Sequence, residues 1–218
     1  MLSADSVTKT YGRTLAVDRA SLVLRPGTRI GLVGPSGSGK STLARVLALL
    51  EPPDTGALTI DGQRVSTWGV RAPRVLRHRV QLIFQSPRLS VDPRLRIRDA
   101  ILEPLRASGI APRDLAAAAE RVGLTPDLLD RHPHEVSEGQ LQRACLARAL
   151  IVRPRYLICD ELSSMLDVST QAALLETIAA VPDLGVLLIT HDRVLAEAWC
   201  DDILSIATAS PVTTLDGG

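Results

Sequence analysis

The segment from Gly34 to Thr42 has the residue types and spacing of a phosphate-binding loop, G-x-x-x-x-G-K-[ST]. In order, it reads Gly34, Pro35, Ser36, Gly37, Ser38, Gly39, Lys40, Ser41 and Thr42. Glycines let backbone N–H groups turn inward around phosphate oxygens, and the helix that follows directs the positive end of its dipole at them. We expect Lys40 to contact the β- and γ-phosphates of a nucleotide and the Ser41 hydroxyl to bind Mg²⁺.

Two acidic residues follow a short apolar strand predicted at 156–159. In a parallel sheet the ligand crevice lies at the carboxyl ends of the strands, so Asp160 and Glu161 should face the same site as the loop. Asp160 would hold Mg²⁺ through water, and Glu161 would orient and deprotonate the attacking water. His191 follows another predicted strand, 186–190, and is a candidate γ-phosphate contact. Taken alone, each could be an ordinary strand-to-loop junction.

Strands and helices alternate along the chain. Apolar runs bounded by turn residues predict strands at 21–24, 29–33, 57–60, 79–84, 156–159 and 186–190. Helices are predicted at 40–50 and 170–180, and mostly helical signals extend from 86 to 151. This alternation indicates a parallel α/β sheet with a helical insert that forms a second lobe.

Composition narrows the class of protein. The 218 residues are 45% apolar and 22% charged, which is typical of a folded domain. A net charge of +1 gives no basis for nucleic acid as the partner. The longest apolar runs are too short to cross a bilayer, and the first residues lack the pattern of a signal peptide. We expect a cytosolic location, with any membrane role exercised through a partner.

The chain resembles the nucleotide-binding domain of ABC transporters along nearly its whole length. The residues that carry the resemblance are Tyr11, the phosphate loop, Gln85, Val136–Gln140, Asp160, Glu161, Ser164–Asp167 and His191. It implies a P-loop NTPase parallel sheet core at about 1–85 and 152–218, with a small N-terminal β subdomain and an inserted helical subdomain at about 86–151. ATP and Mg²⁺ are the implied ligands, and ATP hydrolysis is the implied activity.

The resemblance also assigns roles outside the loop. Tyr11 stacks on adenine, for which its flat ring is suited. Gln85 senses Mg²⁺ and the attacking water and couples the site to a transmembrane partner. Asp167 belongs to a loop that crosses a dimer interface. The signature residues, which contact the γ-phosphate held by the opposite subunit, are Ser137, Gly139 and Gln140.

The same signature has a local structural meaning. Ser137 and Gln140 form a capping-box pattern that predicts the start of a helix. The apolar face of this helix would consist of Leu141, Ala144, Cys145 and Ala149. A plain capped helix would show the same spacing, and only the surrounding set favours the nucleotide role.

A narrower resemblance links the chain to the ATPases of peptide, nickel and metallophore uptake systems. The segments that carry it are 84–93, 101–104, 132–135 and 140–150; lipid, amino-acid and phosphonate ATPases share parts of them. It implies transmembrane permease subunits, a second ATP-binding subunit in a heterodimer, and a solute-binding protein that acts indirectly. The chain would then sit at the cytoplasmic face of the cell membrane. The 85–92 surface would dock a permease helix, and charge reversal at Arg88 would spare basal hydrolysis.

Several positions depart from the family pattern. Glu138 stands where the Leu-Ser-Gly-Gly-Gln signature has its first glycine, and its carboxylate could repel a γ-phosphate. We therefore expect two unequal ATP sites. Leu162 and Met165 replace a usual proline and alanine, and the 210–218 tail is expected to lack a strand pair. Two alternatives remain: a soluble ABC ATPase in translation or DNA repair, and a regulatory subunit with weak hydrolysis.

Overall fold

The structure, a computed structural model, describes residues 1–109, 111, 113–162, 168–206 and 213–214. The strands within these ranges are β1 Leu2–Tyr11, β2 Thr14–Leu24, β3 Arg29–Val33, β4 Thr55–Ile60, β5 Gln63–Arg64, β6 Val80–Ile83, β7 Tyr156–Asp160, β8 Gly185–Thr190, β9 Asp202–Ser205 and β10 Thr213–Thr214. The α-helices are α1 Lys40–Leu47, α2 Arg74–Arg79, α3 Ile97–Ser108, α4 Leu115–Arg121, α5 Pro126–Leu129, α6 Glu138–Leu150, α7 Val168–Ala179 and α8 Arg193–Trp199. Short 3-10 turns occur at Gly69–Arg71, Pro87–Leu89 and Pro133–Glu135.

A four-stranded antiparallel sheet in the order β2-β1-β4-β5 contains the N-terminal strands. Leu2 pairs with Leu24 on one side and with Ile60 on the other, and all three side chains are buried. The rest of β1 is largely polar, and bulges interrupt its pairing, so the strand has too weak an apolar alternation to be predicted from sequence. This sheet is the small N-terminal β subdomain that the family resemblance implies.

The second sheet has the order β10-β9-β3-β8-β7-β6, and β3 pairs in parallel with both β8 and β9. Every residue of β7 and β8 is buried, as expected of parallel strands that are covered on both faces. The predicted α/β class with a parallel P-loop NTPase sheet is confirmed. The expectation of a C-terminal segment without a strand pair is wrong, because Thr213 and Thr214 pair with β9.

Helix α1 ends sooner than its apolar pattern predicts. The sequence indicates a helix as far as residue 50, but α1 ends at Leu47 and Ala48 caps it. Leu49 has a φ of 63°, which lies in the left-handed region and stops the helix before Pro52 is reached. The side chain of Leu49 is fully buried. The requirement to bury Leu49 explains why the chain turns here.

The chain divides into two compact units. The first comprises Met1–Leu82, Arg155–Glu161 and Asp183–Gly218, and it holds nearly all of the two sheets together with α1, α2 and α8. The second comprises Ile83–Pro154 and Leu162–Pro182 and is mainly helical, with α3 packed on α6. None of the described helices is both long and apolar enough to cross a membrane.

Candidate functional site

The register of the parallel sheet brings three strand ends of the first unit side by side. Val33 at the end of β3 pairs with Thr190 at the end of β8. Asp160 at the end of β7 pairs with Ile189, one residue earlier on β8. The phosphate loop, the acidic pair and His191 therefore leave the sheet at one edge, as the sequence predicts.

Lys40 lies inside the loop that precedes it. Its Nζ atom donates hydrogen bonds to the carbonyl oxygens of Gly34 and Pro35, both at 2.8 Å. An ammonium group has three N–H donors, so one remains for a further acceptor in addition to these two. Lys40 is 5% exposed, and burial lowers its pKa, while the charges of Glu161 and Asp160 oppose that shift.

Two glycines permit the close approaches that shape the loop. Gly39 has a φ of 93°, and a Cβ atom there would lie far inside van der Waals contact of the Ala16 carbonyl oxygen. A Cβ at Gly34 would likewise collide with the Ile206 carbonyl oxygen and lie 3.0 Å from Ser38 Oγ. The loop therefore packs closely against the backbone carbonyls of Ala16 and Ile206, and a side chain fits at neither Gly39 nor Gly34.

Two buried polar atoms near the loop have no hydrogen-bond partner among the described residues: Ser38 Oγ and Asp160 Oδ1. Such atoms are costly to bury unless a ligand or water satisfies them. Asp160 also shares a side-chain hydrogen bond with Ser41. Burial raises the pKa of Asp160, and the charge of Glu161 adds to the rise, whereas the Ser41 bond and the charges of Arg45 and Lys40 oppose it.

Glu161 and His191 form the outer part of this edge. The Nδ1 atom of His191 lies 3.8 Å from Oε1 of Glu161. Glu161 has a φ of 50°, and its backbone N–H donates to the Ile189 carbonyl at 3.0 Å. A left-handed glutamate is uncommon, and the bond to the neighbouring strand explains how this conformation is held. Asp192 N–H donates to Thr190 Oγ1 at 3.0 Å, which fixes the turn that carries His191.

Tyr11 lies beside the first turn of α1. It shares a side-chain hydrogen bond with Thr42, its hydroxyl donates to Glu51, and the Lys9 ammonium lies 5.7 Å from its ring centroid. Burial, followed by the bond to Glu51, raises the pKa of the Tyr11 hydroxyl. The side chain remains 43% exposed. An accessible aromatic ring thus accompanies the phosphate loop in the first unit.

Similarity to known proteins shows the family to which this chain belongs. The family model described as "ABC transporter" matches residues 17–164. This chain belongs to the ABC transporter family. It has the fold of the family's ATPase cassette: the dimeric structure of MJ0796, a bacterial ABC transporter cassette, superposes with a TM-score of 0.85 at 24% identity over the full length of both chains. A post-hydrolysis state of the same cassette bound to ADP and Pi gives 0.84 at 23% identity, again over both full lengths.

Curated relatives in the ABC transporter family are more similar in sequence. The glutathione import ATP-binding protein GsiA of Escherichia coli (strain K12) is 44% identical over 190 residues, which is 84% of this chain. GsiA of Shigella flexneri serotype 5b (strain 8401) gives the same values. The chain spans only about 30% of the length of these relatives.

The second unit of this ABC cassette contains the remaining predicted site residues. Ser137 Oγ accepts from Gln140 N–H at 3.2 Å, and Ser137 N–H donates to Gln140 Oε1 at 2.9 Å. The predicted capping box is therefore confirmed, and it begins α6. The predicted apolar face, Leu141, Ala144, Cys145 and Ala149, is buried.

Three other positions predicted from the family resemblance are Gly139, Gln85 and Asp167. Gly139 lies in the first turn of α6. Gln85 lies two residues after the end of β6 and belongs to the second unit. Asp167 and the segment from 163 to 166 lie outside the described residues.

Sequence reasoning missed several groups that shape the site. The carbonyl oxygen of Ala16 lies close to Gly39, and the Glu51 carboxylate accepts a hydrogen bond from the Tyr11 hydroxyl. Neither residue carries a motif that could have identified it. Arg88 and Glu138, which lie 50 residues apart in sequence, form an ion pair with Nε and Oε2 2.9 Å apart. Only the folded chain brings these groups together.

Proposed function

We propose that this chain is the ATP-binding and hydrolysing subunit of an ABC importer. The observation that carries the proposal is the meeting of the phosphate loop, Asp160, Glu161 and His191 at adjacent strand ends in the first unit. Nucleotide phosphates supply the negative oxygens that a loop of inward N–H groups and a buried lysine require. The Ser38 hydroxyl has no hydrogen-bond partner within the described part of the chain and supports this reading, because a phosphate oxygen would satisfy it.

Each side chain then has a defined task in hydrolysis. Lys40 binds the β- and γ-phosphates, and Tyr11 provides the stacking surface for adenine. Glu161 orients the attacking water and accepts its proton, while His191 contacts the γ-phosphate. Ser41 and Asp160 of the first unit would hold Mg²⁺, for which a hydroxyl and a carboxylate oxygen are suitable ligands. When bound, Mg²⁺ neutralises charge on the phosphates. Oδ1 of Asp160, for which the described residues offer no hydrogen-bond partner, fits a cation or its water.

ATP titration of the purified chain tests the assignment of the loop. Lys40→Ala should weaken ATP binding at least about tenfold, because a charge-assisted phosphate contact is lost. Arg64→Ala is a matched control, since Arg64 is an exposed cation on β5. Equal ATP affinities for wild type and Lys40→Ala in calorimetry would refute the assignment.

The partners follow from the importer proposal. An ABC cassette closes on ATP with a second cassette, and we propose a heterodimer with a second ATP-binding subunit. Transmembrane permease subunits and an indirectly acting solute-binding protein complete the system, which places this chain at the cytoplasmic face of the membrane.

Short peptides, nickel and metal chelates are the proposed classes of cargo. The relatives named as glutathione importers favour the peptide class. Uptake into proteoliposomes containing the permease and both cassettes would distinguish these classes, with glutathione, an unrelated tripeptide and Ni²⁺ as probes. ATP hydrolysis that neither the permease nor any probe stimulates would favour the soluble or regulatory ATPase instead.

A further inference from the structure

Arg88 binds the signature segment, Val136–Gln140, on both sides of Ser137. Its Nε atom donates a hydrogen bond at 2.9 Å to Oε2 of Glu138, the residue that follows Ser137. Its Nη2 atom donates at 3.3 Å to the carbonyl of Val136, the residue that precedes Ser137. Its Nη1 atom donates to the Pro133 carbonyl at 3.0 Å. One planar guanidinium thus fixes three acceptors around the signature serine, which a lysine could not do with the same geometry.

A second arginine, Arg148, connects the turn that contains Arg88, Pro87–Leu89, to the other end of α6. Arg148 Nη1 donates to the Ser90 carbonyl at 2.6 Å, and Arg148 Nη2 donates to Glu103 Oε2 at 2.8 Å. Ser90 Oγ in turn donates to the Pro87 carbonyl at 2.8 Å. The turn Pro87–Leu89 is therefore tied to both the first and the last turn of the helix that begins at the signature.

We propose that Arg88 is a positioning residue for the signature segment: it fixes the backbone just before Ser137, through the Val136 and Pro133 carbonyls, and neutralises the Glu138 side chain just after it. This inference rests on the proposed function, in which Ser137 contacts the γ-phosphate of the opposite subunit's ATP. Sequence alone leaves Glu138 as a bare carboxylate that repels that phosphate. With Arg88 bound, the carboxylate is paired within its own chain, and Glu138 also adds a favourable negative charge at the start of α6.

A double-mutant cycle on ATP hydrolysis separates this role from simple structural support. Arg88→Met should lower kcat about tenfold, because Glu138 is left unpaired beside the γ-phosphate, whereas ATP affinity at this chain's own loop should change less than about twofold. Glu138→Gln should then raise kcat at least about fivefold more in the Arg88→Met background than in the wild-type background. Arg88→Lys keeps the charge without the fork and should give an intermediate kcat.

The assay uses the two assembled cassettes with the permease and Mg·ATP. Arg94→Met is the matched control, because Arg94 lies in the same unit, pairs with Asp92 at 2.7 Å and forms no hydrogen bond or ion pair with the signature segment among the described residues. It should leave both kcat and the Glu138→Gln factor as in wild type. If Glu138→Gln changes kcat by the same factor with and without Arg88, the neutralising role is refuted.

Amide hydrogen exchange of the purified chain provides a readout that does not depend on hydrolysis. Exchange in residues 133–140 should be faster in Arg88→Met than in Arg94→Met, because three hydrogen bonds to that segment are lost. Equal exchange would refute the backbone-fixing role even if the assembled protein were inactive. By contrast, failure of the proposed function would appear as hydrolysis in wild type no higher than in Lys40→Ala.

Discussion

The Nδ1 atom of His191 lies 3.8 Å from Oε1 of Glu161, although the two residues follow different strands of the parallel sheet. The backbone N–H of Glu161 is bonded to the Ile189 carbonyl, close to the end of the strand that leads to His191. This bond, together with the hydrogen bond from Asp192 N–H to Thr190 Oγ1, holds both residues at one edge of the sheet. In the proposed hydrolysis, the carboxylate acts on water and the imidazole acts on phosphate.

Glu161→Gln should separate nucleotide binding from hydrolysis. The amide keeps the size and hydrogen bonding of the carboxylate but cannot accept a proton, so turnover should fall about 100-fold or more. ATP should still bind, and an ATP-bound dimer should accumulate in size-exclusion chromatography. Glu176→Gln, which changes an exposed glutamate of α7, is the control. Wild-type turnover in Glu161→Gln would assign the base to another residue.

Gly39→Ala should disrupt the phosphate loop through a steric clash with the Ala16 carbonyl. Gly62→Ala is a matched control, because Gly62 has a φ of 81° and a Cβ there would meet no atom of the described residues within 4 Å. Both variants incur the left-handed backbone cost of about 1–2 kcal/mol. Only Gly39→Ala should also lose ATP binding, as measured by calorimetry. Equal ATP affinities in the two variants would contradict the close-packing argument.

Asp61 should make the stability of the first unit depend on pH. Burial alone would raise its pKa, but the bond from the Tyr156 hydroxyl at 2.7 Å and nearby positive charges, including Arg155, lower it overall. A depressed pKa means that the contribution is complete above the unfolded-state pKa, about 3.9, and is lost as pH falls through the folded-state value. Asp61→Asn should therefore destabilise the fold by about 1–3 kcal/mol at pH 7.

Denaturant unfolding at several pH values would measure this effect. The difference between wild type and Asp61→Asn should shrink as the pH falls below about 4, where wild-type Asp61 also becomes neutral. Asp202→Asn, at an exposed position of β9, is the control and should change stability by less than about 0.5 kcal/mol. A pH-independent difference would show that the charge of Asp61 contributes nothing.

Leu89 is a better probe of the proposed permease-docking surface, residues 85–92, than Arg88. Leu89 is 90% exposed at the end of the Pro87–Leu89 turn, whereas the Arg88 guanidinium is bound to the signature segment. Charge reversal at Arg88 should therefore disturb hydrolysis as well as coupling, contrary to the expectation from sequence. Leu89→Asp should abolish stimulation of ATPase activity by the permease, because a charge replaces an apolar contact.

The control for Leu89→Asp is Val194→Asp, which places the same charge at a 76% exposed position of α8 in the first unit. It should leave permease stimulation intact. Normal stimulation in Leu89→Asp would remove the turn from the docking surface. Loss of stimulation in both variants would instead indicate a general effect of added negative charge.

The sequence by itself determined the phosphate loop, the Asp160–Glu161 pair and the start of α6. These features depend on short spacings whose meaning is local: a glycine pattern before a helix, acids at a strand end, and a capping box. The buried strands β3, β7 and β8 were also predictable, because continuous apolar runs indicate burial on both faces.

Tertiary structure alone decided the groups that act on these motifs from a distance. The largely polar strand β1 forms through pairing with β2 and β4, which outweighs its weak apolar pattern. Arg88 reaches Glu138 across 50 residues, and this contact turns an apparently repulsive carboxylate into a paired one. Such contacts depend on the path of the whole chain, so they cannot be predicted from residue type and local spacing.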